Sequence, residues 1–290
     1  MARSIKYVDA PKKFVISFGD MCEVIPCLRK IYHSKADDVI VDMLGAQEIS
    51  EEGFFVLKAL GEKLTLNDKR LLISPIGSHF KVQSFLRRKF AGKDKYVKEL
   101  HVNKSVGKEQ AVSKTIDPAV VDVIVNELAQ IGIPEYYAPL YDMLIELTSN
   151  ATEHGIKDRN INWWLSRYWD KVSKTMRYVF VDMGEGIVSS HRKAGLPFRY
   201  LFKGSKGIVA DSFKGVLRSS TRQSHRGKGL PSINALVKDE LISDFLMVTN
   251  NVSLAWIDGK FVYSQNDNFV GTFFSWSVNK ENYNRWKKLG

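Results

Sequence analysis

Cysteine is nearly missing from this chain of 290 residues, which has only Cys22 and Cys27. Two are too few for a disulfide framework or a zinc site built from cysteine. Long apolar runs are missing as well. None approaches the ~20 residues that span a bilayer, so no membrane partner is expected. The opening MARSIKYVDAPKK has no apolar core of the kind a secretory leader needs, and none is expected. No internal repeat is visible. A reducing cytoplasm is the simplest address these absences leave.

What is present suits a two-domain globular protein. The length exceeds that of a usual single domain, and an apolar fraction of 44% with 16 Phe and 6 Trp is enough for real cores. The formal charge is +11, and acids are almost missing from one stretch. Residues 187–228 hold ten Lys or Arg and a single acid, Asp211, a net +9 that leaves +2 for the remainder. Such a surface points to phosphates, of a nucleotide or of a nucleic acid.

The first hundred residues alternate. KKFVISFG (12–19), DDVIVDML (37–44) and KRLLISPIG (69–77) read as strands, with helical spacing in MCEVIPCLRKIYHS, SEEGFFVLKALGEKL and HFKVQSFLRRKF. Strand–helix alternation predicts an α/β layer domain over 1–101, followed by a polar linker at 102–117. From 118 to 290 the order changes. Helices over roughly 118–132 and 135–155 precede a hairpin pair, INWWLSRYW and MRYVFVDMG, and a helix over 229–240 follows the basic segment. Three or four strands then close the chain, with turns expected at Asn250-Asn251, Asp258-Gly259 and Asn266-Asp267. This order predicts an α+β sandwich, with helices on one face of a mixed, mostly antiparallel sheet.

Four segments carry candidate chemistry. In LYDMLIELTSNATEHG, Leu140, Met143, Leu144, Leu147 and Ala151 form a core-facing stripe. Glu146 and Asn150, four apart, share one face beside it; in isolation that is also what a solvated polar edge looks like. VFVDMGEGIV sets Asp182, Gly184 and Gly186 directly after a strand. Glycines there let a backbone turn sharply and approach a flat ligand, and a strand-end carboxylate accepts a hydrogen bond from an exocyclic amine, although many such strings are ordinary turns. HRGKGLPSINAL places Gly227, Lys228, Gly229 and Leu230 at a helix start, where exposed N–H groups and the dipole favour phosphate. A Gly-rich loop that merely opens a helix reads the same way. VGTFFSWSV puts Gly271-Thr272 at the start of the last strand.

The order and spacing of these segments resemble the GHKL ATPase superfamily, whose Bergerat nucleotide fold occurs in gyrase, heat-shock chaperones, histidine kinases and mismatch-repair ATPases. The resemblance covers roughly residues 118–280, and ELTSNATEHG is most similar to anti-sigma-factor serine kinases and other histidine-kinase-like ATPase domains. It implies ATP and Mg²⁺ as ligands. Glu146 would be the general base, Asn150 a Mg²⁺ ligand through its oxygen, and Asp182 the reader of the adenine amine. Gly184 and Gly186 would shape the base pocket. Gly227, Lys228, Gly229 and Leu230 would hold the phosphates, and Thr272 would support Asp182. His154 is assigned to packing before phosphate contact. The basic segment would be an open, mobile lid that orders over the triphosphate. Pro231 stands where the histidine-kinase pattern often has another glycine, a position in a first helical turn that tolerates proline. No four-helix dimerisation segment with a phosphoacceptor histidine is recognisable, which argues against a sensor kinase.

DDVIVDMLGAQEISEEGFFVLKALGEKL resembles the STAS domain of anti-sigma-factor antagonists. Ser50-Glu51-Glu52-Gly53 matches the helix start at which that family carries a phosphorylated serine. The same string is also a serine N-cap with acids in the first turn. The combined expectation is a Mg²⁺-dependent ATP-binding regulatory protein with slow hydrolysis or phosphoryl transfer, acting through a protein partner or as a homodimer. Its alternatives are an anti-sigma-type protein serine kinase and a nucleic-acid-binding module built on 187–228.

Overall fold

A computed structural model of the chain describes residues 3–90, 98–99, 118–134, 136–155, 163–200, 202–217 and 229–289. It is a mixed α/β structure with several sheets. Two compact units divide it: Met1–Ser105 with Asn266–Val270, and Val106–Gln265 with Gly271–Gly290. The expected linker 102–117 lies outside the described residues. That Asn266–Val270 group with the first unit is something no division by sequence position anticipates.

The first unit runs β1 (Ile5–Asp9), β2 (Lys13–Phe14), α1 (Val24–Tyr32), β3 (Asp38–Asp42), β4 (Glu48–Ile49), α2 (Glu51–Thr65), β5 (Arg70–Ser74), α3 (Phe80–Lys89) and β6 (Lys98–Glu99). β1, β3 and β5 lie parallel in that order, and β6 joins β5 antiparallel. β3 buries Asp38 through Val41 without alternation, as a parallel strand covered on both faces does. Helix α1 turns Val24, Ile25, Cys27, Leu28 and Ile31 into the core. One expectation is corrected here. Residues 12–19 supply only the short β2, and the first strand of the sheet is β1 instead. β1 is an edge strand with Ile5 and Tyr7 exposed, so its composition carries no inward alternation.

The second unit opens with α4 (Pro118–Asn126), which tightens into a 3-10 turn at Glu127–Ile131. It continues through α5 (Ala138–Gly155), β7 (Trp163–Asp170), β8 (Thr175–Asp182), α6 (Ile187–Lys193) and α7 (Ser205–Phe213). α8 (Gly229–Lys238), β9 (Ser243–Ile257), β10 (Lys260–Val278) and α9 (Lys280–Leu289) complete it. The four strands form one sheet in the order β7-β8-β10-β9, with β8 antiparallel to both neighbours. Side chains alternate along a strand, and the parity is clear. Met176, Tyr178 and Phe180 of β8 and Phe274, Trp276 and Val278 of β10 share a core with the α5 stripe and with Ile233 and Val237 of α8.

Three further expectations are overturned along this part of the chain. Asn250-Asn251 is not a turn but lies within β9. Phe245 and Met247 face the core before it and Val252 and Leu254 after it, so the inward parity changes across Asn250. Asn250 has a left-handed φ of 48°, the geometry of a bulge that inserts one residue. Asn266-Asp267 likewise falls inside β10. Of the three expected turns, Asp258-Gly259 reverses the chain, with φ of 49° and 73° as a two-residue hairpin turn requires. The described part of the expected lid, 187–217, is not open, and residues 218–228 of it lie outside the described residues. Residues 187–217 fold as α6, a 3-10 turn at Phe198–Tyr200 and α7, and they bury Val188, Tyr200, Ile208, Val209 and Phe213. Among the described residues, no helix is long and apolar enough to cross a membrane.

Candidate functional site

The α5 stripe is buried along its length, which leaves Glu146 and Asn150 half-buried one turn apart at its edge. Helix α8 begins against them. A side chain at Gly229 would start 2.7 Å from Glu146 Oε2 and 2.9 Å from Asn150 Nδ2. Glycine at that position therefore keeps open a place where a carboxylate, an amide and a helix N-terminus meet. The carboxylate also favours the helix electrostatically. Leu230 packs half-buried against the core, and Pro231 sits in the first turn, where its missing N–H costs little. Gly227 and Lys228 lie outside the described residues, as does the side chain of His154.

Asp182 is the next position after Phe180 on the core-facing side of β8. In register it stands between Trp163 of β7 and Thr272 of β10. Its Oδ1 accepts a hydrogen bond from the Gly184 N–H at 2.9 Å. A Cβ at Gly184 would crowd both carboxylate oxygens, at 3.1 and 3.2 Å. Gly271 has a φ of 87°, and a Cβ there would collide with the Asp182 carbonyl oxygen. Thr272 is buried, with its hydroxyl 3.2 Å from that of Thr249. Asp182 thus ends an apolar strand face on a small polar floor.

Thr249 and Asn250 are the residues that sequence reasoning missed. Thr249 Oγ1 accepts from Ile187 N–H at 2.9 Å, and Asn250 Oδ1 accepts from Val188 N–H at 2.9 Å and Ser189 N–H at 3.3 Å. The Asn250 amide donates to Glu185 O at 3.0 Å and to Ser189 Oγ at 2.8 Å. Gly186, with a φ of 78°, makes room for that amide, since a Cβ there would lie 2.6 Å from Asn250 Oδ1. The N-terminus of α6 is therefore capped from β9, and Gly186 serves that cap. The available signal was the polar run Thr249-Asn250-Asn251, which interrupts the apolar residues of β9.

In the basic segment its one acid is an organiser. Asp211 accepts from the Tyr200 hydroxyl at 2.8 Å and from Lys203 Nζ at 2.5 Å. The Lys203 ammonium holds the Asp211 carboxyl below the usual carboxylate range. Burial, aided by Asp211, pushes the Tyr200 phenol up.

In the first unit, Ser50 caps α2, its Oγ accepting from Gly53 N–H at 3.0 Å. Glu51 pairs with Lys89 at 2.5 Å. A Cβ at Gly53 would stand 2.5 Å from the Phe14 carbonyl oxygen. This helix start is satisfied within its own unit.

Among the described residues, no group of three or more His, Cys, Asp or Glu is placed to hold a metal ion. The donors beside Gly229 are oxygen and amide groups, which fit a hard cation that takes most of its ligands from elsewhere. The structure brings Glu146, Asn150 and Gly229 together, and separately Asp182, Gly184, Gly271 and Thr272, while Gly186 belongs to the α6 cap. No protein-family model matches the chain, and no curated protein matches it.

Proposed function

We propose that the second unit binds ATP with Mg²⁺ in the cytoplasm and works as a nucleotide-dependent regulatory switch, with slow hydrolysis or phosphoryl transfer as its chemistry. The observation that carries this reading is the approach of Gly229 to Glu146 and Asn150. Gly229 lies far in sequence from Glu146 and Asn150, and the resemblance assigns the three to phosphate binding, proton removal and metal binding. A glycine helix start offers N–H groups to phosphate, and the carboxylate and amide beside it would serve the base and the metal.

The residues divide the work by their chemistry. First-turn N–H groups of α8 would receive phosphate oxygens, since they have no intrahelical partner. Glu146 would accept the proton of the attacking water or hydroxyl. The Asp182 carboxylate, with several acceptor positions, would take a hydrogen bond from the exocyclic amine of adenine. Thr272 beside it would fix the carboxylate's setting. Mg²⁺, held by the Asn150 oxygen and by phosphates, would supply charge neutralisation. A protein partner, or a second copy of the chain, would read the bound state.

Gly229→Ala tests the reading directly. The added methyl should displace Glu146 and Asn150, both ends of flexible side chains, while the fold survives. The expected result is an unchanged unfolding midpoint with at least tenfold weaker binding of a fluorescent ATP analogue. Wild-type affinity in the folded variant removes α8 from the site. Turnover by the purified chain alone assigns water as acceptor, and turnover only with added protein assigns a protein hydroxyl.

A further inference from the structure

The turn between α6 and α7 leaves two phenylalanines outside the fold. Phe198 is 77% exposed and Phe202 88% exposed. Their rings meet edge to face with centroids 6.2 Å apart. Tyr200 between them is buried in the core, with its hydroxyl on Asp211. Backbone bonds from Tyr200 N to Pro197 O at 2.8 Å and from Lys203 N to Tyr200 O at 3.1 Å close the turn on either side. Tyr200 is thus a peg, and the two phenylalanines stand exposed on either side of it, with Leu201 outside the described residues. Neighbouring large rings exposed in this way mark a surface that something covers.

The charge around them is of one sign. Residues 192–206 contain Arg192, Lys193, Arg199, Lys203 and Lys206 and no acid. Lys193 is paired with Glu185 and Lys203 with Asp211. Arg192, Arg199 and Lys206 have no acidic partner among the described residues. Arg192 Nη2 reaches Ser205 Oγ at 3.5 Å, which ties the end of α6 to the start of α7, and the Arg199 guanidinium lies 5.1 Å over the Tyr200 ring.

We infer that this turn binds single-stranded nucleic acid, with bases stacked on Phe198 and Phe202 and phosphodiesters on Arg192, Arg199 and Lys206. Stacking platforms set among cations are how sequence-tolerant single-strand binding works. An anionic membrane is the competing partner, and two features decide against it. Both large apolar side chains exposed at the turn, among the described residues, have flat aromatic faces. Two of the three cations without an acidic partner among the described residues are arginines, whose planar forks match phosphate oxygens, whereas attraction to a lipid surface needs only diffuse charge. The inference does not depend on the ATP reading.

The test is fluorescence anisotropy of labelled oligo(dT) and oligo(U), about twenty nucleotides long, with the full chain across a KCl series. Saturable binding that weakens with salt is expected. Phe198→Ala with Phe202→Ala should weaken it about tenfold or more, as loss of stacking does. Tyrosine at both positions should preserve binding, and leucine at both should not. Arg192→Ala with Arg199→Ala should flatten the salt dependence by about 1.4, at roughly 0.7 per lost phosphate contact. Circular dichroism checks that each variant is folded. The inference is overturned if the wild-type chain binds no oligonucleotide at low salt, or if the leucine variant binds as well as wild type. Binding to phosphatidylserine–phosphatidylcholine vesicles in place of oligonucleotides overturns it too.

Discussion

Helices α2 and α8 begin alike and end in different chemistry. Each has a glycine in its first turn whose missing side chain lets another group come close. At Gly53 that group is the Phe14 carbonyl, part of a rigid backbone. Ser50 caps the same helix start, and Glu51 is paired with Lys89. At Gly229 the close groups are the ends of two flexible side chains, a carboxylate and an amide. Glycine against backbone is a packing solution. Glycine against Glu146 and Asn150 keeps polar groups gathered at a helix N-terminus, which is useful when a ligand arrives there. In sequence the two starts, SEEG and GKGL, look like variants of one signal.

The sharpest way to break this contrast is Glu146→Ala. If Glu146 acts as a base, phosphate release should fall about 10²–10⁴-fold while Mg-ATP binding is nearly kept. Stability should change by only about 0.3–1 kcal/mol, the worth of a carboxylate near a helix start. A large stability loss with an unchanged rate would instead make Glu146 a structural partner like Glu51. Next in size is Gly53→Ala. Its Cβ meets backbone that cannot swing aside, so urea unfolding of the first unit should show a loss of about 1–3 kcal/mol. Gly229→Ala should leave the unfolding midpoint of the second unit unchanged.

Ser50→Ala should cost the first unit about 1 kcal/mol, the usual worth of an N-cap. Replacing Glu51 and Glu52 by serine should leave ATP turnover unchanged, because Glu51 already has a partner in Lys89. Altered turnover would give the STAS resemblance regulatory meaning. The smallest effect concerns acid. Hydrogen bonds from Arg70, with Arg3 adding to them, hold the Asp38 carboxyl below its ordinary value of 3.8. A carboxyl depressed on folding contributes stability above its unfolded value, and that contribution is lost as pH falls through the folded one. Asp38→Asn should therefore lower first-unit stability near neutrality, where wild type has that contribution, and flatten the acid limb so that variant and wild type converge below about pH 4.

Local periodicity made part of this structure readable. The α5 stripe predicted its buried face and, beside it, the half-buried edge that holds Glu146 and Asn150. The apolar run before Asp182 placed that residue at a strand end, and the structure has it as the last residue of β8. Long-range partners were not readable. Asparagine tolerates a left-handed backbone in a turn and in a bulge alike, so Asn250 signals both, and only its neighbours across the sheet decide. Its role as the α6 cap depends on residues more than sixty positions away. The ten cations of 187–228 hid a helical apolar pattern at Ile208, Val209 and Phe213, because net charge reports on surface while three buried side chains are enough to dock a short helix.

Calorimetric titration of the purified chain with Mg-ATP and Mg-GTP, repeated on Asp182→Asn, tests the central claim most directly. The account predicts saturable ATP binding, GTP weaker by about tenfold or more, and a variant in which ATP weakens and the gap between the two narrows, because a carboxylate matched to an amine discriminates strongly. A folded wild-type chain that gives no heat of binding with ATP would contradict it, and so would an Asp182→Asn variant with unchanged affinity and selectivity.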